Sequence, residues 1–139
     1  MSLVEIKREE LNSRIFHCPD IQKFREEAAT KEIIYETEHS VGAVWTMLPG
    51  QTLPIHSHVN ADDIWIVVEG VAEYYPETGQ KVQIKKGDLI VARPGEKHGM
   101  TNVSDKPFVM LGIAGPVPIG FIPHSAEAEA FMNPKPATV

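Results

Sequence analysis

The sequence predicts an all-β domain, a sandwich or barrel of many short antiparallel strands. Three observations carry this expectation. Runs rich in β-branched and aromatic residues recur along most of the chain, glycine and proline turn signals punctuate them at short intervals, and no helical stretch separates one run from the next, as a parallel α/β sheet would require.

One short helix is expected before the strands begin. Pro19 and Asp20 can open it, and Ile21, Phe24 and Ala28 give it a weak apolar face. From Lys31 the pattern turns to β: KEIIYETEHS and then VGAVWTML, which stops at the Pro49-Gly50 turn. DIWIVVEG runs to Gly70, and VAEYYPE reaches a Pro76-Glu77-Thr78-Gly79 turn from which QKVQI returns as a hairpin partner. LIVA ends at Pro94-Gly95, a polar turn at Ser104 and Asp105 follows, and FVMLGIA is the last strong strand. The glycines at 50, 70, 87 and 95 are expected to be turn residues with positive φ. From Pro116 to Val139 the chain carries five prolines and one short helical stretch, SAEAEAF, and reads as an arm. The organisation is therefore an N-terminal extension over residues 1–30, a strand-rich body over 31–115 and a C-terminal arm over 116–139.

A chain of 139 residues can bury roughly two thirds of its unfolded surface, enough for one core. With 13 Lys and Arg against 19 Asp and Glu, the net charge of −6 offers no basic stripe for a phosphate backbone, so nucleic acid is not expected as a partner. No apolar run approaches the ~20 residues of a membrane-spanning helix, and the start of the chain lacks the apolar core of a signal peptide. A cytoplasmic protein is expected. Cys18 is the only cysteine, excluding an internal disulfide, and next to Pro19 it reads as a spectator thiol.

The chemistry concentrates on histidines. His56 and His58 lie two apart in HSHVNADD, and strand alternation sends both imidazoles to one face. His98 follows the Pro94-Gly95 turn, and a carboxylate is at hand in Asp62 or Asp63. Three imidazoles with one carboxylate suit a first-row divalent ion and leave coordination positions open for water or substrate. His17, His39 and His124 fall outside this pattern and read as surface residues.

In this arrangement the sequence resembles the cupin superfamily over roughly residues 41 to 115. The first motif reads Gly50, five residues, His56, Ser57, His58, four residues, Asp63, six residues, Gly70. The second reads Gly87, five residues, Arg93, Pro94, Gly95, two residues, His98, three residues, Asn102. Sixteen residues separate the motifs, a compact spacing similar to that of small microbial cupins. Either motif alone is weak; together they are specific. Two departures stand out. Asp63 replaces the family's usual glutamate and reaches about an ångström less far. Either the strand moves inward, or a water bridges, or three histidines hold the ion alone while Asp63 orients an imidazole. Asp62 fits the shorter variant of the interval but leaves seven residues before Gly70. Arg93 stands where the family's proline usually sits.

The resemblance implies a jelly-roll barrel (a double-stranded β-helix) with one divalent ion, manganese, iron, nickel or zinc, on His56, His58, Asp63 and His98. Trp45, Trp65, Met47 and Met100 alternate on strands beside these ligands, where packing is the ordinary role; Trp65 and Met100 are also candidate substrate contacts. Arg93 is a third, able to draw an anion to the mouth. Asn102 is expected to bond within the barrel. The function implied is a metal-dependent enzyme acting on a small, oxygen-rich anionic metabolite, as a dioxygenase, a lyase or decarboxylase, or a sugar-type isomerase. The alternative is a noncatalytic binding or sensing module, and a metal-free structural cupin is a third reading. No catalytic base can be named. A homodimer is expected, with a strand around residues 31 to 39 extending a partner's sheet.

Overall fold

The computed structural model describes residues 6–132; the outermost parts of the expected N-terminal extension and C-terminal arm, residues 1–5 and 133–139, lie outside the described residues. Strands dominate, and their faces divide between core and solvent. β1 (Thr30–Glu36), β2 (Val41–Met47), β4 (Asp62–Glu69), β7 (Leu89–Ala92) and β9 (Phe108–Gly115) form one antiparallel sheet in the order β1-β2-β9-β4-β7. The second sheet runs β10-β3-β8-β5-β6, from β3 (Thr52–Ser57), β5 (Val71–Tyr75), β6 (Val82–Lys85), β8 (His98–Thr101) and β10 (Ile122–Pro123). From β2 onward the chain crosses repeatedly between the sheets, which is jelly-roll winding. The two sheets share no strand among the described residues, so the expected barrel is an open, two-sheet jelly roll.

Period-2 patterning explains which residues meet between the sheets. In β4, Asp63, Trp65 and Val67 are buried, whereas Ile66 and Val68 face outward. Trp65, Met47, Leu53, Met100, Phe108 and Met110 fill the space between the sheets and form the core. β2 is buried on nearly every residue, because the chain before β1 covers its outer face: the Thr46 hydroxyl donates to the Lys23 carbonyl at 2.6 Å.

That contact also corrects the expected helix. Helical structure starts as foreseen, with Pro19 in the first turn of α2 (Cys18–Ile21), but it stops at Ile21 and Gln22 is extended (φ −62°, ψ 143°). The carbonyls of Lys23, Arg25 and Glu26, which a continuing helix would engage internally, accept hydrogen bonds from Thr46 and Gln51 instead. A tertiary contact overrides a weak apolar periodicity here. A second five-residue helix, α1 (Arg8–Asn12), was not foreseen. In the arm, α3 (Ala126–Met132) forms where SAEAEAF predicts it. The first strand ends at Glu36, before the expected 39, because Thr37 closes a turn onto Ser40.

Asn102 ties the sheets together at the end of β8 opposite His98. Its side-chain amide, fully buried, donates to the carbonyls of Met47 (3.0 Å) and Lys106 (2.8 Å) and accepts from the backbone and hydroxyl of Ser104. Asn102→Ala would strand these buried carbonyls at a cost of about 3 kcal/mol. We expect a thermal midpoint about 6–12 °C lower, measured by differential scanning calorimetry, with little change in metal content.

Candidate metal centre

The donors come from both sheets. In the second sheet, β3 and β8 place His56 directly opposite His98. His58 falls one residue beyond β3, and its position is fixed by the next turn: the Gly95 amide donates to the His58 carbonyl at 2.7 Å. Gly95 sits at φ 82°, a conformation that other residues rarely adopt, so this turn holds His58 while delivering His98 three residues later. Asp63 reaches in from the first sheet.

His56, His58, Asp63 and His98 are all buried, and one ligand atom from each lies within 4.8 Å of the others. Asp62 is exposed. The shorter carboxylate nevertheless reaches the centre, because its cross-strand neighbours on either side are the small Ala92 and Ala114. Its Oδ2 stands 3.0 Å from His58 Nε2 and 3.2 Å from His98 Nε2.

The far nitrogen of every ring is engaged by a backbone carbonyl: His56 Nδ1 with Pro54 (2.8 Å), His58 Nδ1 with Gly120 (2.7 Å) and His98 Nδ1 with Glu96 (2.9 Å). A carbonyl only accepts, so each Nδ1 carries the hydrogen, and Nε2 is the nitrogen turned inward. In neutral rings, three lone pairs and a carboxylate oxygen then face one point. Such a set of acceptors needs a cation among them, and imidazoles with their second nitrogen held by a carbonyl are the usual arrangement around a bound metal. The residues present thus fit a divalent ion.

Burial, and then the neighbouring His98, lower the His56 pKa to about 3, so this ring is neutral at pH 7. Burial alone would raise the Asp63 carboxyl; the imidazoles of His58 and His98 outweigh it and bring its pKa down to about 2.

Two contributors escaped the sequence reading. Gly120 supplies the carbonyl for His58, and Phe121 stacks on the His56 ring at 4.7 Å with planes 11° apart. Both belong to the arm, which returns to add β10 beside β3, pairing Ile122 with Ser57 and Pro123 with His56. Their sequence signal is slight: a glycine and an aromatic residue in a proline-rich stretch. His124 is exposed as expected, yet its ring meets the Ser57 hydroxyl at 2.8 Å. The three candidate substrate contacts differ in their placement. Trp65 sets its indole against His98 at 5.0 Å, Met100 is fully buried in the core, and Arg93 is an exposed turn residue 3.8 Å from Glu96.

Residues 43–114 match the cupin domain family. The chain belongs to the cupin family. Among solved structures, this cupin is similar to a conserved protein with a double-stranded β-helix domain from Klebsiella pneumoniae: 32% identity over 81% of this chain and 98% of that one, TM-score 0.76. An RmlC-like cupin from Desulfovibrio desulfuricans is 28% identical over 69% of this chain and 91% of its own, TM-score 0.61. A predicted oxalate decarboxylase from Thermotoga maritima is 19% identical over 64% and 81%, TM-score 0.60, a likeness of fold alone. No curated protein matches the sequence.

Because the unfolded chain protonates His56 near pH 6.5 and the folded protein resists until about 3, the unfolded state binds more protons throughout that interval. Stability of the metal-free protein should therefore fall on acidification from pH 6.5 to 3, with His56 contributing at most about 1.4 kcal/mol per pH unit. Asp63 adds a loss of the same sign between 3.8 and about 2. Urea titrations across this range should show a shallower slope for His56→Gln.

Proposed function

We propose that this cupin is a metal-dependent enzyme that holds one divalent ion, manganese, iron, nickel or zinc, on His56, His58, Asp63 and His98. We propose further that it acts on a small anionic molecule presenting oxygen donors. The reading rests on one observation, the three Nδ1–carbonyl pairs that leave every Nε2 free for an ion, with those of His58 and His98 within 3.2 Å of the Asp63 carboxylate. A divalent ion bound there supplies Lewis acidity toward a carbonyl or enolate oxygen, and iron would add oxygen chemistry.

The residues of the chain do the remaining work. Asp63 cancels one positive charge of the ion and leaves a net attraction for an anion. Phe121 covers one face of His56, excluding water from that side and holding the ring in place. A cavity of about 920 Å³ opens onto His56, His58 and Asp63, and Arg25 and Lys31 line it on an entry segment, residues 25–32, that leads into β1 and forms its start, where they favour entry of negative charge. Among the described residues, Glu27 and Glu32 are the only carboxylates lining the cavity apart from Asp63, and both belong to that entry segment. This supports polarisation of the bound molecule over proton abstraction by a buried base. It equally favours the second reading, a module that binds such an anion without converting it.

Elemental analysis of protein purified without chelator or affinity-tag metal should find one divalent ion per chain. Less than a tenth of that should remain in His56→Ala or His98→Ala, and Asp63→Asn should bind at least tenfold more weakly. Chelation should lower the thermal midpoint, since free metal at a hundredfold excess over its Kd contributes about 2.7 kcal/mol. Turnover of an oxygenated anion that is lost in His56→Ala would establish the enzyme; saturable binding with no product would establish the module. β1 is an edge strand, and we propose that it pairs with a second copy. A monomer in gel filtration at micromolar concentration would remove that proposal.

A further inference from the structure

The inward rows of the first sheet show what the cavity is shaped to take. In register across its strands, one row reads Val41-Ala114-Asp63-Ala92 and the next Ala43-Gly112-Trp65-Ile90. Beside Asp63, these rows carry alanine or glycine at four of their eight positions, Ala43, Ala92, Gly112 and Ala114, where larger side chains would fill the interior. Gly112 admits nothing larger: a Cβ there would stand 2.8 Å from Trp65 Cδ1 and 3.3 Å from Trp45 Nε1. Its neighbours Ala43 and Ala114 both line the cavity, so the void in front of the donors is made by truncated side chains.

The chemistry of the walls is one-sided. Trp45, Ile119 and Phe121 join the lining around Ala43, Gly112 and Ala114, and among the described residues, apart from the metal donors, every charged or hydroxyl side chain on it comes from the entry segment, residues 25–32. A polyol lying against these walls would exchange water for surfaces whose one side-chain hydrogen-bonding group is the Trp45 indole N–H, and each hydroxyl left unpaired would count against binding. A flat hydrocarbon body loses nothing there and gains contact with the aromatic rings. The entry segment adds the complementary charge, with the Lys31 ammonium poised 5.5 Å over the Trp45 ring.

We propose that the cavity selects an anionic chelate with an apolar, planar body: a 2-oxo acid carrying an aryl group, its paired oxygens toward the donor set and its ring along the Ala43–Ala114 wall. This deepens the proposed function and rests on it. It narrows the substrate class away from sugars and sugar acids, with Ala43 and Ala114 as the residues that set specificity.

Two probes with the same head separate body from chelation: phenylpyruvate and 2-oxogluconate. Titrated into metal-loaded protein and followed by calorimetry, phenylpyruvate should bind at least tenfold more tightly. Ala43→Leu, one row away from Asp63, should lose at least tenfold of that affinity while still carrying one metal per chain, and Ala43→Val, a smaller intrusion into the same void, should shift it in the same direction. Equal or tighter binding of 2-oxogluconate overturns the inference, as does undiminished phenylpyruvate binding in both variants with metal retained. If the wild-type protein holds no metal, the metal reading itself fails and this inference with it; one ion per chain without preference between the probes sinks the inference alone.

Discussion

The Asp63 carboxylate is the interaction on which the rest of this molecule turns. It projects from the first sheet into a cluster of imidazoles carried by the second, and the opposed sheets close on a buried anion that is satisfied by a cation, proton or metal ion, shared with those imidazoles. An unpaired carboxylate at this depth would be costly, so the sheet spacing, the ring orientations and the turn that positions His58 are coupled to one another. The pull on its titration, down to about 2 against the opposing effect of burial, reflects how completely the imidazoles surround it. Asn102 plays the corresponding neutral part at the far end of β8, where its amide joins β2 of one sheet to the turn after β8 of the other.

The backbone, more than the side chains, decides what the cluster can do. Carbonyls at Pro54, Gly120 and Glu96 fix the hydrogen on the outer nitrogen of each ring, and this commits the inner nitrogens to act as donors to an ion. Two of these carbonyls lie two residues before the histidine they serve, an arrangement the local strand and turn geometry supplies by itself. The third is long-range. Gly120 comes from the arm, so residues 116–123 are as much a part of the centre as the strands, and β10 pairing beside His56 is what holds that carbonyl in place.

Much of this was legible from the residues. The spacing of His56, His58, Asp63 and His98 between punctuating glycines identifies the centre because strand alternation and tight turns leave little freedom between those positions. All four glycines named from the sequence adopt positive φ. Gly70 shows why substitution is barred there: a Cβ would lie 2.4 Å from the Pro107 carbonyl oxygen. What could not be read were contacts between segments with no local signature. The helix ends at Ile21 because Thr46 and Gln51, more than twenty residues away, claim the carbonyls that would have continued it. Met100 shows the same limit from the other direction, since its alternation with His98 says it points inward but not whether the inward side at that depth is cavity or core.

Metal centre and void are two consequences of one register. Because β9 lies between β2 and β4, the strand that carries Asp63 is aligned with strands that contribute Ala43, Gly112 and Ala114 at the same height. A one-residue slip would turn Asp63 outward and bring the aliphatic outer face of β4 into the interior, closing the cavity and dismantling the donor set together. Small residues at these heights forgo burial that larger ones would provide, and stability must come from elsewhere in the sandwich. It comes from the next layer down, where Trp65, Met47, Met100, Phe108 and Met110 pack without solvent contact and Trp65 sets its indole against His98. The dense layer thus gives the loosely filled one a rigid floor, and the metal donors sit at the boundary between them.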